Sequence, residues 1–283
     1  MDMVTLAEGD CRVAEVECRS VLNKSGLADY AVNCYAGCEH GCRYCYARFA
    51  TRFSHPGELW GSFVDVKVNA PQVLAHEVRR KRVGRVFISS VCDGWQPREA
   101  SYRLTRQCLE ILLHHRYPLT ILTKSALAGR DLDLLASKAG VEFGVTITTL
   151  DDGLRRLFEP RSSPATERLD LLQEAKRRGI RTYAFLGPLL PYLSDTEASL
   201  KSLLTAVKDV GADYFYVDRL NRRFGVWLSL KSLLQEHFPD LLGEYRKFLF
   251  DESARKVYSE RLMSSVYCLA RRQGLDGKMR PCF

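Results

Sequence analysis

Residues 33–49 read NCYAGCEHGCRYCYARF and hold four of the chain's ten cysteines, Cys34, Cys38, Cys42 and Cys45. The last three are spaced C-x3-C-x2-C. Thiolates are soft ligands that suit zinc or iron–sulfur clusters. A structural zinc site takes four closed ligands, usually as two pairs from two places. Three thiolates within eight residues are a different pattern. They leave one iron of a four-iron cluster without a protein ligand, and an open metal position is what a catalytic site keeps. Gly37 and Gly41 are free to take the left-handed turns that a tight loop needs.

Outward from this loop, strand-like and helix-like runs alternate. Residues 85–91 (RVFISSV), 118–125 (PLTILTKS), 141–149 (VEFGVTITT), 181–191 (RTYAFLGPLLP, broken by Gly187 and Pro188) and 212–220 (ADYFYVDRL) read as strands. Residues 101–116, 130–140, 164–179 and 195–211 carry helical periodicity, the last with Asp195 as N-cap. Asn69 and Pro71 open a further helix through about Arg82, and the stretch before Cys38 supplies the first strand. The pattern is roughly six βα units. Apolar runs without alternation mean strands covered on both faces, hence a parallel sheet. Periodicity leaves open whether that sheet is doubly wound or a partial barrel. In both, ligands bind at the carboxyl ends of the strands. The expected organisation is an N-terminal extension over 1–30, the α/β unit over 31–223 and a mostly helical cap over 224–283.

The chain has 283 residues, 46% of them hydrophobic, which is enough for a sizeable core. There is no apolar run of membrane-spanning length, and MDMVTLAEGDCRV lacks a basic, then apolar, leader. The expectation is a cytoplasmic protein with reduced thiols and no membrane partner. The net charge of +8 favours anionic partners such as nucleic acid, nucleotides or phosphate-bearing small molecules. Solvated helix faces account equally well for the runs at 79–82 and 176–178.

The loop resembles the cluster motif of the radical S-adenosylmethionine (radical SAM) enzymes, with Tyr44 just before the third cysteine. The longer run SVLNKSGLADYAVNCYAGCEHGCRYCYARF is similar to the spore photoproduct lyase-like branch, often labelled DNA-repair photolyase-like. The likeness continues in DGWQPREASYRLTR, ILTKS, FEPRSSPATERL and YAFLGPLLPYLSD, so it covers about residues 20–220. It implies a partial (β/α)6 barrel, which decides between the two architectures. It also implies a 4Fe–4S cluster on Cys38, Cys42 and Cys45, with S-adenosylmethionine on the remaining iron. Reductive cleavage would then yield a 5′-deoxyadenosyl radical that abstracts a hydrogen atom from substrate. An electron donor of the flavodoxin or ferredoxin kind is implied as partner. The substrate stays open: a DNA lesion, or a peptide, a tRNA or a small metabolite. A reading of another class is a non-catalytic iron–sulfur or zinc protein that binds nucleic acid, which requires Cys34 as a ligand.

The resemblance assigns further residues. Lys124, ending its strand, matches a lysine that holds the S-adenosylmethionine carboxylate. Tyr44 and Tyr46 match tyrosines that relay a hydrogen atom in the lyase. Cys92 lies near the place of the lyase's hydrogen-atom donor; a buried cysteine at the end of a core strand is the equal alternative. Asp93, with Gln96 and Glu99, either meets the cofactor or substrate or builds the turn. Thr146 and Thr148 alternate toward one face of the fourth strand and can reach the cofactor ribose. Glu159, Arg161 and Arg168 read as a structural charge group tying their loop to the barrel. Cys34 reads as a small apolar residue beside the site. Cys11, Cys18, Cys108, Cys268 and Cys282 have no compact ligand spacing. His114 and His115 close a helix, where a cation is favourable.

Overall fold

The computed structural model describes residues 11–136 and 138–281; Cys282 lies outside them. The strands are β1 (Arg12–Val16), β2 (Leu22–Lys24), β3 (Tyr30–Val32), β4 (Tyr35–Gly37), β5 (Phe63–Lys67), β6 (Val86–Ile88), β7 (Leu119–Thr123), β8 (Val141–Ile147), β9 (Arg181–Leu189), β10 (Tyr214–Arg219) and β11 (Met279–Arg280). In the main sheet β3, β6, β7, β8, β9 and β10 lie side by side in chain order, each pair parallel. A doubly wound sheet reverses its order at a switch point, whereas a barrel keeps it. The strands therefore form a partial (β/α)6 barrel. It does not close: β2 runs antiparallel along β3 at one edge, and β11 pairs with β10 at the other.

The two faces of β8 show how the sheet is built. Phe143, Val145 and Ile147 are buried on one face, and the helix Ala165–Arg177 packs against the strand. By alternation Gly144, Thr146 and Thr148 share the opposite face, which is the concave side. A Cβ at Gly144 would lie 2.4 Å from the Tyr183 ring. The glycine thus lets Tyr183 cross β8 and donate to the Ile121 carbonyl at 2.8 Å. Tyr183 stacks on Tyr214 with ring centres 5.3 Å apart, filling the sheet's concave side with aromatic rings.

A second, three-stranded sheet in the order β1-β5-β4 stands beside the barrel. Its function is visible from where β4 ends: Gly37 leads directly into Cys38. Gly37 has φ 84°, and a Cβ there would meet the Phe63 carbonyl at 2.4 Å. Only glycine fits, so this sheet sets the entry of the cysteine loop.

Several local expectations differ from the structure. The strand β9 runs unbroken through Gly187 and Pro188, whose peptide bond is cis. The helix Glu197–Asp209 is capped by Thr196, which accepts from the Ser199 N–H at 3.2 Å. Asp195 instead accepts from the Tyr258 hydroxyl at 2.6 Å, a long-range contact that local cap statistics do not contain. The Asn69 side chain does not cap its helix; it brackets the Cys18 backbone, accepting from N–H at 2.8 Å and donating to C=O at 3.0 Å. That helix ends at Glu77, and the expected helix over 130–140 shrinks to a 3-10 turn, Ala126–Asp131, and the short helix Leu132–Leu135. Among the described residues, the stretch from 224 on holds three α-helices, Val226–His237, Leu242–Phe250 and Glu252–Arg272. It also returns β11 to the sheet.

Candidate active site

The carboxyl ends of the parallel strands form one rim, and the cysteine loop lies across it. Cys38 and Cys42 are buried and Cys45 half-buried. Burial pushes the Cys38 thiol well above its ordinary range and the Cys42 thiol up to about 12. Such thiols stay protonated and inert unless a metal takes up the charge. Among the described residues no three His, Cys, Asp or Glu side chains gather to hold a single ion. The thiolates of a four-iron cluster bind different irons, so they need not converge on one point.

Cys34 points elsewhere. It is buried in the core, its Sγ 3.5 Å from the Sγ of Cys108 on the helix Leu104–His114. This agrees with its reading as a small buried residue beside the site. Both expected left-handed glycines are present, Gly41 with φ 62° beside Gly37.

The turn after β6 is built by Asp93. Its Oδ1 accepts from the Trp95 N–H at 2.9 Å and the Thr123 hydroxyl at 2.8 Å, and its Oδ2 from the Lys124 N–H at 2.8 Å. His40 of the cysteine loop brings Nδ1 to 3.5 Å from the same carboxylate. One side chain therefore ties the ends of β6 and β7 to the loop. Gln96, fully buried, accepts from the Glu39 N–H at 2.8 Å, and Glu39 is anchored in turn by Arg98 at 3.0 Å. Glu99 is buried under the loop, receives the Tyr35 hydroxyl and pairs with Arg130 at 2.8 Å. The departures in CDGWQP have local causes. A Cβ at Gly94 would lie 2.6 Å from Ser89 Oγ, and the Trp95 indole donates to Asp131 at 2.8 Å.

Beneath the loop sits a buried polar network. The Tyr44 hydroxyl contacts the Glu159 carboxylate and lies 3.0 Å from Thr148 Oγ1. The Thr148 hydroxyl also lies 2.9 Å from Glu159 and 3.0 Å from the Gly187 carbonyl. Arg168 pairs with Glu159 and donates to the Thr146 carbonyl at 2.8 Å. Burial opposes the Glu159 charge, yet the Arg168 guanidinium and Lys124 ammonium outweigh it and hold the carboxyl at about 2. Arg161 donates to the Gly61 carbonyl at 2.8 Å and the Glu39 carbonyl at 3.2 Å. The charge group thus ties its loop to the barrel, as read from the sequence. Thr146 is buried on the same side of β8.

Lys124 stands apart from these pairs. Its ammonium lies 5.7 Å over the centre of the Tyr44 ring. Burial works against its charge, but the nearby Glu159 carboxylate favours it, and the Lys124 ammonium is held above its ordinary range. It forms none of the ion pairs found among the described residues, so a half-buried cation faces the cysteine loop without a carboxylate of its own.

Tyr46 and Cys92 are on the open side. Tyr46 is 38% exposed and donates to the Ser90 carbonyl. The Cys92 thiol is half-buried, 3.7 Å from Asn33 Oδ1, and packs against the small cluster of Cys38, Ala47, Trp60 and Phe63. Burial pushes it up to about 12, so it is a thiol and not a thiolate. Sequence reasoning missed Asp218. It follows Tyr214 and Tyr216 in alternation along β10, on the concave side, and burial raises its carboxyl. Its one signal was an acid at the end of the apolar run ADYFYVDRL.

Comparison with known proteins follows this geometry. The model of the Radical SAM superfamily matches residues 32–203. An uncharacterized protein of Methanocaldococcus jannaschii is 31% identical over 257 residues, 90% of this chain and 93% of that one. Another, from Mycobacterium tuberculosis, is 32% identical over 280 residues, 94% of this chain and 82% of its own. Among solved structures, a spore photoproduct lyase mutant with dinucleoside spore photoproduct aligns at TM-score 0.69 and 15% identity, covering 95% of this chain and 81% of that one. A lyase mutant with AdoMet and the same photoproduct bound aligns at TM-score 0.67 and 14% identity, with the same coverage. At such identity these two establish the fold alone.

Proposed function

The chain belongs to the radical SAM superfamily, whose members are enzymes that use a 4Fe–4S cluster and S-adenosylmethionine, and from that premise we propose that Cys38, Cys42 and Cys45 hold the cluster and Lys124 the carboxylate of S-adenosylmethionine. When bound and reduced, by a donor of the flavodoxin or ferredoxin kind, this pair supplies a 5′-deoxyadenosyl radical that abstracts hydrogen from substrate. The observation that carries the reading is the Lys124 ammonium, outside every ion pair found among the described residues, close to Cys42 and Cys45 of the loop and over the Tyr44 ring between them. Burial of the loop thiols suits a metal that takes their charge.

The chain's own residues then have separable tasks. Asp93 fixes the backbone of Lys124, and so the origin of its side chain, through the Lys124 N–H. Thr148 and Glu159 act on the site through Tyr44, holding the floor under the loop, and Thr146 joins that floor through its carbonyl, which accepts from Arg168. Tyr46 and Cys92 border the open side, where substrate enters. A neutral thiol there can give up a hydrogen atom, and a neighbouring phenol can pass one on.

For the substrate, we propose a DNA lesion of the spore photoproduct kind, acted on in the cytoplasm. The lyase-like fold, the position of Cys92 and the charge of +8 support it. The non-catalytic reading needs Cys34 as a ligand, and Cys34 lies against Cys108 instead. The test is anaerobic purification, reconstitution with iron and sulfide, reduction, and addition of S-adenosylmethionine. Formation of 5′-deoxyadenosine is expected; none from a fully loaded cluster sinks the enzyme mechanism. Formation without turnover of lesion DNA moves the substrate to another class.

A further inference from the structure

Three arginines gather at the carboxyl end of β10. Arg219 ends the strand, where its register with β9 shifts between Val217 and Arg219. Arg222 follows in the adjoining loop. Arg255 rises from the first turn of the helix Glu252–Arg272. Its guanidinium carbon lies 5.3 Å over the Phe248 ring, and its Nη1 is buried without a hydrogen-bond partner. A buried charged donor left unsatisfied is costly, because it has lost its water partners and gained none in the protein. Burial and the charges of Arg219 and Arg222 all press Arg255 toward losing its proton.

The acids within reach do not answer this. Glu252 is engaged by Arg222 at 2.5 Å. Asp218 accepts from the Arg219 N–H at 2.8 Å, and burial weakens its tendency to ionise. Two acids, one of them spoken for and one reluctant to charge, stand against three guanidiniums. The arrangement lacks an anion.

We propose that Arg219, Arg222 and Arg255 form a phosphate-binding subsite at the β10 end of the mouth, which takes a phosphoryl group of the substrate. Guanidinium forks match phosphate oxygens, and a tetrahedral anion offers acceptors to three donors at once, where a carboxylate offers only two oxygens. The inference rests on the reading of this mouth as the substrate entrance. The position supports that: Asp218, beside Arg219, follows Tyr214 and Tyr216 in alternation on the concave side. Arg223, next in the loop, covers the Phe49 ring at 5.2 Å, and that ring stacks on Tyr46 at 6.3 Å. The anion therefore sits at the outer edge of the opening that Tyr46 borders. The phosphate can belong to a nucleic-acid backbone or to a small phosphoester.

The test uses the full chain with its cluster reconstituted. Binding of inorganic phosphate and of a short single-stranded oligothymidylate is measured at several salt concentrations. Arg255→Ala is expected to weaken binding of at least one probe tenfold or more, with Arg255→Lys recovering part of it. For the oligonucleotide the slope of log affinity against log salt should fall by about 0.7, the share of one phosphate on a single strand. Loss confined to the oligonucleotide assigns the site to a nucleic-acid backbone; loss for both assigns it to phosphoesters generally. The exposed Arg219→Ala repeats the measurement if Arg255→Ala does not fold, and Arg271→Ala, at the far end of the same helix, should change nothing. Equal binding by wild type and folded variants, or no binding of either probe by wild type, overturns the proposal. Its failure is separate from failure of the enzyme reading, because 5′-deoxyadenosine formation without substrate needs none of these arginines.

Discussion

The sulfur of Cys34 lies 3.5 Å from that of Cys108, buried in the core, while Cys38, four residues on, belongs to the loop on the rim. Four cysteines adjacent in sequence are thus divided by the structure into a packing residue and a candidate ligand set. Cys34→Ala should keep the full iron content and the cluster's absorbance, and cost only about 1 kcal/mol of stability from the small cavity. Alanine at Cys38, Cys42 or Cys45 should abolish the absorbance. Iron lost from Cys34→Ala would reverse the assignment.

Lys124→Met keeps the length of the side chain and removes the charge. The expected result is an intact cluster with S-adenosylmethionine bound about 10- to 100-fold more weakly, the worth of one charge-assisted hydrogen bond, about 1.5–3 kcal/mol. Calorimetry on the reconstituted protein measures it. Unchanged affinity would leave Lys124 as a structural cation.

Glu159 and Arg168 form a buried pair, each 1% exposed. Removing one partner strands the other's charge, so Glu159→Gln should cost about 3–5 kcal/mol in urea unfolding at neutral pH. The pH dependence has a definite sign. The folded carboxyl sits at about 2, below the ordinary value of about 4.3. Its contribution is complete above the ordinary value and is lost as pH falls from there toward about 2. Wild-type stability should decline through that window, and more steeply than that of Glu159→Gln.

Tyr44 and Tyr46 flank Cys45 but meet different surroundings. Tyr44→Phe deletes a buried hydroxyl from the network and should lower stability by about 1–2 kcal/mol. Tyr46→Phe removes a bond at a 38% exposed residue and should lower stability by about 0.5 kcal/mol or less. It should instead reduce product formation while 5′-deoxyadenosine still appears. Equal effects of the two variants on unfolding would count against this division.

Cys92→Ala probes the hydrogen-atom donor directly. With lesion DNA it should repair at least tenfold more slowly while S-adenosylmethionine cleavage continues, read as 5′-deoxyadenosine formed per lesion repaired. Undiminished repair leaves Cys92 as a packing residue against the Cys38, Trp60 and Phe63 cluster.

The alternation of apolar runs and helical periods was enough to read a parallel sheet and most of its strands, because each strand's burial on two faces is written locally in its residues; their order in the sheet was not, and only the resemblance pointed to a partial barrel. The edge strands β1, β2 and β11 escaped it. They are short; β1 and β11 become strands by pairing with partners distant in the chain, and β2 by folding back antiparallel on the neighbouring β3. The same division holds at the site. The spacing of Cys38, Cys42 and Cys45, the left-handed glycines and the lysine that follows β7 are local features, and the chain alone carries them.

Which thiol is excluded and what Asp93 and Glu159 hold depend on contacts between residues 30 to more than 100 positions apart. A sequence shows that such groups exist but not that they touch. Only the folded barrel brings strand ends to one rim, and there burial and neighbouring charge give each side chain its chemistry.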